Sequence, residues 1–372
     1  MRFIVSTTSL LKGLQAAGGV VSSTAVLPIL EDFLFDIKGN KLTVHATDLE
    51  TSISTNINIE SKENGRVAIP AKILIDTLKT LPEQPLFFSV DERNYTVEIT
   101  SENGRYKLAG ENPEDFPKIP TPEGGTEITI NSSRLASAIS RTLFAVSSDE
   151  LRVAMTGVLF RISPEGMTFV STDAQKLVRL LYRDLTFNKE AQFILPKKAL
   201  NLLKNILPNN EESVVINFAS NHAFFSFGNT LLTSRLIEAS YPDYNSVIPL
   251  NNPNKLTINR LELQNALKRV SIFSNKTTHQ AIFTITGSEL KLSAQDLDFS
   301  NEANERLVCS YEGTDMEIAF HSRFLIEMLG VIDSGDVELE LSTPMRPGVL
   351  RPADKSENED LLMLIMPTMI NA

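Results

Sequence analysis

Tryptophan is absent and cysteine occurs once, as Cys309. A single thiol cannot build a disulfide framework, and one Cys with four scattered His makes no metal-ligand cluster. No apolar stretch reaches the roughly 18 residues a membrane span needs. The start, MRFIVSTTSLLKGLQ, has one Arg and an apolar run broken by Ser and Thr, which argues against a secretory leader. The cytoplasm is therefore the expected compartment. Walker A, G-x-G-x-x-G, H-E-x-x-H and G-x-S-x-G signatures are all missing. Positive charge is also short: 35 Lys and Arg face 46 Asp and Glu, for a net charge of −11. Taken alone this disfavours nucleic acid, because affinity for a phosphate backbone comes from basic groups that displace counterions.

What is present is repetition. The 372 residues, 42% of them apolar, suffice for two or three domains with cores of their own. A first element recurs at a period of about 125 residues, as Phe3-IVSTTSLLKGL, Ile128-TINSSRLASAI and Leu256-TINRLELQNAL. Each begins with β-like alternation, passes through Ser6, Asn131 or Asn259, and becomes a helix; these residues can accept orphan backbone N–H groups at a helix start. A second element reads Val67-AIPAKILIDTLKTLP, Phe193-ILPKKALNLLKNILP and Ile318-AFHSRFLIEMLGVID, with Pro70 and Pro196 at the strand-to-helix junction. A third is a hairpin: Leu34-FDIKGNKLTVHATD, Leu159-FRISPEGMTFVSTD and Phe283-TITGSELKLSAQD, ending on Asp48, Asp173 and Asp296. The pattern predicts an α+β protein of three repeated domains, 1–124, 125–252 and 253–372. Each would pack two helices on antiparallel sheets.

The charge is sorted by element. Helices are expected over 8–17, 70–81, 133–142, 196–207, 260–270 and 321–330. They carry Lys12, Lys72, Lys79, Arg134, Arg141, Lys197, Lys198, Lys204, Arg260, Lys268, Arg269 and Arg323, against only Asp76, Glu262 and Glu327. Their apolar positions share one face, as in Leu10, Leu14, Ala17 and Leu263, Leu267, Val270, which leaves a basic face for something else. Six basic helices on an acidic body suggest a surface turned to a polyanion. With no aromatics among these bases, stacking on single strands is not indicated, and sequence-blind contact with duplex phosphates fits better. Such contact would be weak and salt-sensitive.

Catalysis finds little support. Ser9-Leu-Leu-Lys12 matches S-x-x-K, the pattern of serine acyl-enzymes. It lies in the repeated helix, however, and S-D-N and K-T-G are absent. Asp48, Asp173 and Asp296 recur in separate repeats and read as turn hydrogen-bonders. His45, His222, His279 and His321 have no Cys or carboxylate constellation beside them. No catalytic residue, metal or cofactor is expected.

The triplication, the basic helices and the stretches LPIL at 27–30, TDLE at 47–50, YPDY at 241–244 and Met366-Pro367 together resemble the bacterial DNA polymerase III β subunit family, over the whole chain. That resemblance implies a head-to-tail homodimer closed into a ring. Double-stranded DNA would be held by topology and faced by Lys12, Lys72, Lys79, Arg134, Arg141, Lys197, Lys198, Lys204, Lys268 and Arg323. It implies a processivity factor that tethers the replicative polymerase alpha subunit, the clamp loader and other proteins bearing a clamp-binding motif. Their cleft, carried over by position, is walled by Arg152, Met155, Thr172, Leu177, Pro242, Val247, Phe324, Met345, Leu364, Met366, Pro367 and Thr368. The ring seam would set Arg105, Tyr106 and Leu108 against Ile272 and Phe273, with Asp298, Glu302 and Glu305 as charge partners. The chain departs from the family pattern at Ala174 (usually Gly), Ser246 (often Arg), Thr368 (commonly Met) and Met369 (commonly Arg). Thr24 and Asp149 stand where some relatives place DNA-contacting Arg and Gln. The alternative is a peptide-binding scaffold that never encircles DNA.

Overall fold

A computed structural model describes residues 1–22 and 27–370; Thr24 lies outside the described residues. Among them are six α-helices, two per repeat: α1 (Thr7–Gly18), α2 (Ala71–Thr80), α3 (Ser132–Thr142), α4 (Lys197–Ile206), α5 (Arg260–Val270) and α6 (Ser322–Gly330). Each begins within a residue or two of its expected start, and the reason is local. Ser6 Oγ accepts from the Ser9 N–H and Asn259 Oδ1 from the Glu262 N–H, while Asn131 Oδ1 takes the Ser133 N–H. α1 buries Leu10, Gly13, Leu14 and Ala17, and α5 buries Leu263, Ala266, Leu267 and Val270, the i, i+3, i+4, i+7 stripe of an amphipathic helix.

The sheets are not confined to single repeats. Four antiparallel sheets form, and the two large ones are shared by neighbouring repeats. In an eight-stranded sheet, Thr230–Arg235 of the second repeat pairs with Thr51–Asn58 of the first, Leu232 opposite Ile53. In a nine-stranded sheet, Lys176–Tyr182 of the second pairs with Glu359–Ile365 of the third, Leu177 opposite Leu364. The two five-stranded sheets belong to the first and third repeats. Period-2 alternation specifies which face of a strand is buried but not which edge it joins. Sharing also removes four otherwise exposed sheet edges.

By contacts the chain divides into two compact units. One is Met1–Ala136 with Lys198–Leu236; the other is Ser137–Lys197 with Ile237–Ala372. Each contains one large and one small sheet. In the first unit the core includes Phe3 stacked on Phe88 at 4.6 Å, close to Phe35. In the second, Phe160 lies between Phe169 and Phe193, each 4.8 Å away.

Candidate nucleic-acid and partner-binding surfaces

The helix bases fall into two classes. Lys12, Lys72, Lys79, Lys197, Lys198, Lys204, Lys268 and Arg323 are exposed on the helix faces opposite the apolar stripes, and Arg134 is half-buried. Lys12, Lys72, Lys79, Lys204, Lys268 and Arg323 make no ion pair among the described residues, whereas Lys198 pairs with Asp48. Arg141 requires correction. It is buried, with its guanidinium on Glu359 and, at 3.3 Å, on Asp333, so it serves packing within its unit. Arg260 and Arg269 are also spent internally. Arg260 donates to the carbonyls of Leu329 and Ser334, and Arg269 holds Glu305 through two nitrogens at 2.7 and 2.6 Å. Helical periodicity indicates which face a residue occupies, but not which acid a neighbouring strand brings to it.

The recurring aspartates are turn formers in detail. Asp48 Oδ1 accepts from the N–H groups of Glu50 and Thr51, and Asp173 Oδ1 from those of Gln175 and Lys176. In the first two repeats a threonine completes the turn: Thr47 Oγ1 takes the Leu49 N–H, and Thr172 Oγ1 takes the Ala174 N–H while donating to the Lys176 carbonyl. Leu49 and Ala174 are thereby held at φ of 79° and 75°, in the left-handed region. Asp296 repeats the capping through the Asp298 N–H.

The expected cleft residues lie largely around one apolar floor. Leu177 and Leu364, opposite each other in register, are buried with Leu159, Val170, Ile194, Tyr241, Val349 and Leu362; Ala154, Tyr244 and Ile248 pack against them. Met155 follows Ala154 on a short 3-10 turn, Pro242 follows Tyr241, and Val247 precedes Ile248, so three expected wall residues are carried by neighbours of that floor. Arg152 is exposed and paired with Asp149 at 3.4 Å. Thr172 is buried in its turn and contributes geometry rather than a free hydroxyl. Met366 is 40% exposed, with its N–H on the Gln175 carbonyl. Pro367–Thr368 then adds a short strand beside Met316–His321, Pro367 opposite Phe320. Gln280 Nε2 fastens this segment by donating to Thr368 Oγ1 at 2.9 Å and the Met369 carbonyl at 2.8 Å. Met345 stands 72% exposed on a turn leading to Val349, which pairs with Leu364.

Three residues that the sequence did not single out for this region complete it. Lys176 Nζ lies 3.8 Å above the Phe324 ring centroid and binds Asp173 at 2.9 Å, with Glu327 3.7 Å away. His321 stacks on Phe324 at 4.0 Å and 15°, and His279 meets His321 edge-on at 5.1 Å. Burial, assisted by His279 and Lys176, pushes the His321 imidazole down to about 4, so it is neutral at physiological pH. His321 Nδ1 has no hydrogen-bond partner among the described residues. His321 and Phe324 lie three residues apart at the start of α6, and strand pairing brings His279 to them by setting Gln280 opposite His321.

Arg105–Ala109 and Asn301–Val308 each form an edge of a five-stranded sheet, in different units. Ile272 and Phe273 are 76% and 41% exposed on a 3-10 turn that lies against Asn301–Val308. Leu297, Phe299 and Val308 are exposed as well, and sequence reading had passed over them. Tyr106 is half-buried and Leu108 buried. Arg105 is committed to Glu98, and Glu305 to Arg269, which leaves Asp298 and Glu302 as the exposed acids on this side.

Sequence profiles describing the N-terminal, central and C-terminal domains of the DNA polymerase III beta subunit match residues 1–120, 129–243 and 245–369. The chain belongs to the DNA polymerase III beta subunit family. Beta sliding clamps of Staphylococcus epidermidis and Staphylococcus aureus are 31% and 30% identical to it, over 99% of each chain. Among solved structures, the griselimycin-bound clamp of Pseudomonas aeruginosa superposes with a TM-score of 0.94 at 27% identity, covering both chains fully. The griselimycin-bound clamp of Bartonella birtlesii gives 0.92 at 28%, also with full coverage. The three repeats are therefore three clamp domains in this family's α+β fold. No helix among the described residues is long and apolar enough to cross a membrane.

Proposed function

We propose that the chain is a non-catalytic, cytoplasmic processivity factor: two copies join head to tail into a ring that encircles duplex DNA and tethers the replicative polymerase. The domains would divide at 1–124, 125–252 and 253–372. A heterologous contact that closes after two copies gives a ring, not a filament. The edge strands Arg105–Ala109 and Asn301–Val308 would meet at that contact, with Ile272 and Phe273 beside them. Lys107 on the one strand and Glu302 on the other are exposed and opposite in charge.

The observation that carries this reading is the set of exposed helix bases without an ion pair among the described residues, Lys12, Lys72, Lys79, Lys204, Lys268 and Arg323, in a chain of net charge −11. Six such bases per copy would give weak, salt-sensitive attraction at equilibrium. Topology supplies the retention that charge does not, and a weak lining lets the ring slide. Acid elsewhere discourages stray contact with DNA. The cleft around Leu177 and Leu364, rimmed by Met155, Pro242, Val247, Met345 and Met366, would take peptide segments of the polymerase alpha subunit, the clamp loader and other clamp-binding proteins. No cofactor is required for any of this.

Retention on DNA tests the proposal. Labelled protein is loaded onto nicked circular plasmid with a clamp loader and ATP, the complex is isolated, and half is linearised. Retention on circles with loss from linear ends is expected. Equal retention on both forms would mean ordinary surface binding and would overturn the ring.

A further inference from the structure

Ile365 ends the last strand of the nine-stranded sheet, and the chain then leaves that sheet for a different one. Met366 gives its N–H to the Gln175 carbonyl at 2.9 Å, and Pro367–Thr368 joins a five-stranded sheet beside Met316–His321, Thr368 opposite Ala319. The segment is therefore a strap between two sheets, continuous with the strand that carries Leu364 in the cleft floor. Its hold on the smaller sheet is thin. Only two residues pair, and one of them is proline, which has no N–H to give, so Thr368 is the one backbone donor on the strap's side of that pairing. Beyond it, Met369 is 77% exposed.

Gln280 supplies what the pairing lacks. It opens the strand Gln280–Thr286, and Met316–His321 stands between that strand and the strap, so its side chain bridges two strands that do not pair with each other. The amide of this half-buried residue donates twice, to Thr368 Oγ1 at 2.9 Å and to the Met369 carbonyl at 2.8 Å. A primary amide has two N–H groups, enough for both acceptors at once. The second bond fixes the backbone past the last paired residue. Such a clip matters most where few other contacts compete, since short, solvent-facing segments open most readily. We infer that Gln280 is the positioning residue of the cleft rim: its amide clips the strap to the smaller sheet and so holds Met366 and Pro367 where a partner peptide meets them. Gln280 acts through the strap, not through contact with the partner. The inference rests on the cleft reading above and adds which side chain sets that part of the wall.

The test compares the full-length protein with Gln280→Ala, Thr368→Val and the double variant. Amide hydrogen exchange is followed by mass spectrometry, and binding of the replicative polymerase alpha subunit by surface plasmon resonance. In Gln280→Ala, residues 366–370 should exchange about tenfold faster while 281–286 and 316–321 keep their protection. The alpha subunit should dissociate roughly fivefold faster, the scale of two hydrogen bonds partly replaced by water. Thr368→Val, which removes one acceptor, should give a smaller change. The double variant should be no worse than Gln280→Ala, because both remove the same contact. Unchanged exchange in 366–370, faster exchange with unaltered alpha binding, or lost protection throughout the sheet would each overturn the inference; the last would make Gln280 an ordinary part of its strand. Val247→Glu, in the proposed cleft wall but outside the strap, checks the underlying reading. If that variant leaves alpha binding intact, the cleft reading fails and takes this inference with it. If it weakens binding while any of the three overturning results is seen, the inference alone falls.

Discussion

Ala174 and Leu49 occupy matching turns and show how a single backbone angle carries a cost. A residue with a Cβ at φ near +75° is strained by roughly 1–2 kcal/mol, and the threonine and aspartate of each turn hold it there. Ala174→Gly should therefore stabilise the protein by about 0.5–1 kcal/mol in urea unfolding, less than the full strain because glycine also loosens the unfolded chain. A loss of stability would mean that the alanine methyl packs usefully in the cleft wall. Asp32 is a second residue-level case. It is 4% exposed, one carboxylate oxygen has no hydrogen-bond partner among the described residues, and burial, then Glu111 and Glu31, raise its pKa to about 7. A raised carboxyl binds its proton more tightly when folded, so stability should fall as pH climbs from about 4 to 7 and level off above that. Asp32→Asn should remove this drop, and thermal melts of the variant and the parent should diverge in the variant's favour between pH 5 and pH 8.

Elements follow local rules until another element intrudes. Gly13 sits inside α1, where alanine would ordinarily be better by about 1 kcal/mol. A Cβ built there, however, meets Ile57 Cδ1 at 2.5 Å and Cγ1 at 2.9 Å, because the helix lies directly on strand Thr51–Asn58. Gly13→Ala should therefore destabilise, by about 1–2 kcal/mol of overpacking, and circular-dichroism melts would show it as a lowered Tm. A raised Tm would mean that Ile57 simply rotates away. Helix starts and the apolar faces of α1 and α5 were readable because caps and 3.6-residue periodicity act over a few neighbours. Strand partners were not, since Leu232 and Ile53, or Leu177 and Leu364, are brought together by register across roughly 180 residues of chain.

At the scale of the whole molecule, function depends on surfaces that no single repeat owns. The seam reading places Phe273, 41% exposed on its turn, at the contact between copies. Phe273→Asp should put an uncompensated charge into that contact. The variant should sediment at low micromolar concentration as a 41.2 kDa monomer, half the mass expected of the parent. A variant still dimeric at that concentration would move the seam elsewhere. Leu297, Phe299 and Val308 enlarge the exposed apolar set on the same side, so a single substitution there tests a surface rather than one side chain.

The sequence by itself determined the triplication, the six helices and the side-chain caps of α1, α3 and α5, the aspartate turns and the segregation of base onto helices, because each depends on neighbours within about a turn or a hairpin. It also carried the family resemblance, through short motifs in a fixed order. Only the tertiary structure decided which bases are free and which are consumed, as Arg141 is by Glu359 and Asp333. It alone merged the repeats' strands into shared sheets and stacked Lys176, Phe324 and His321 into one column. Charge pairing, sheet edges and ring contacts depend on distances between residues far apart in the chain, and those distances exist only once the strands have found their register.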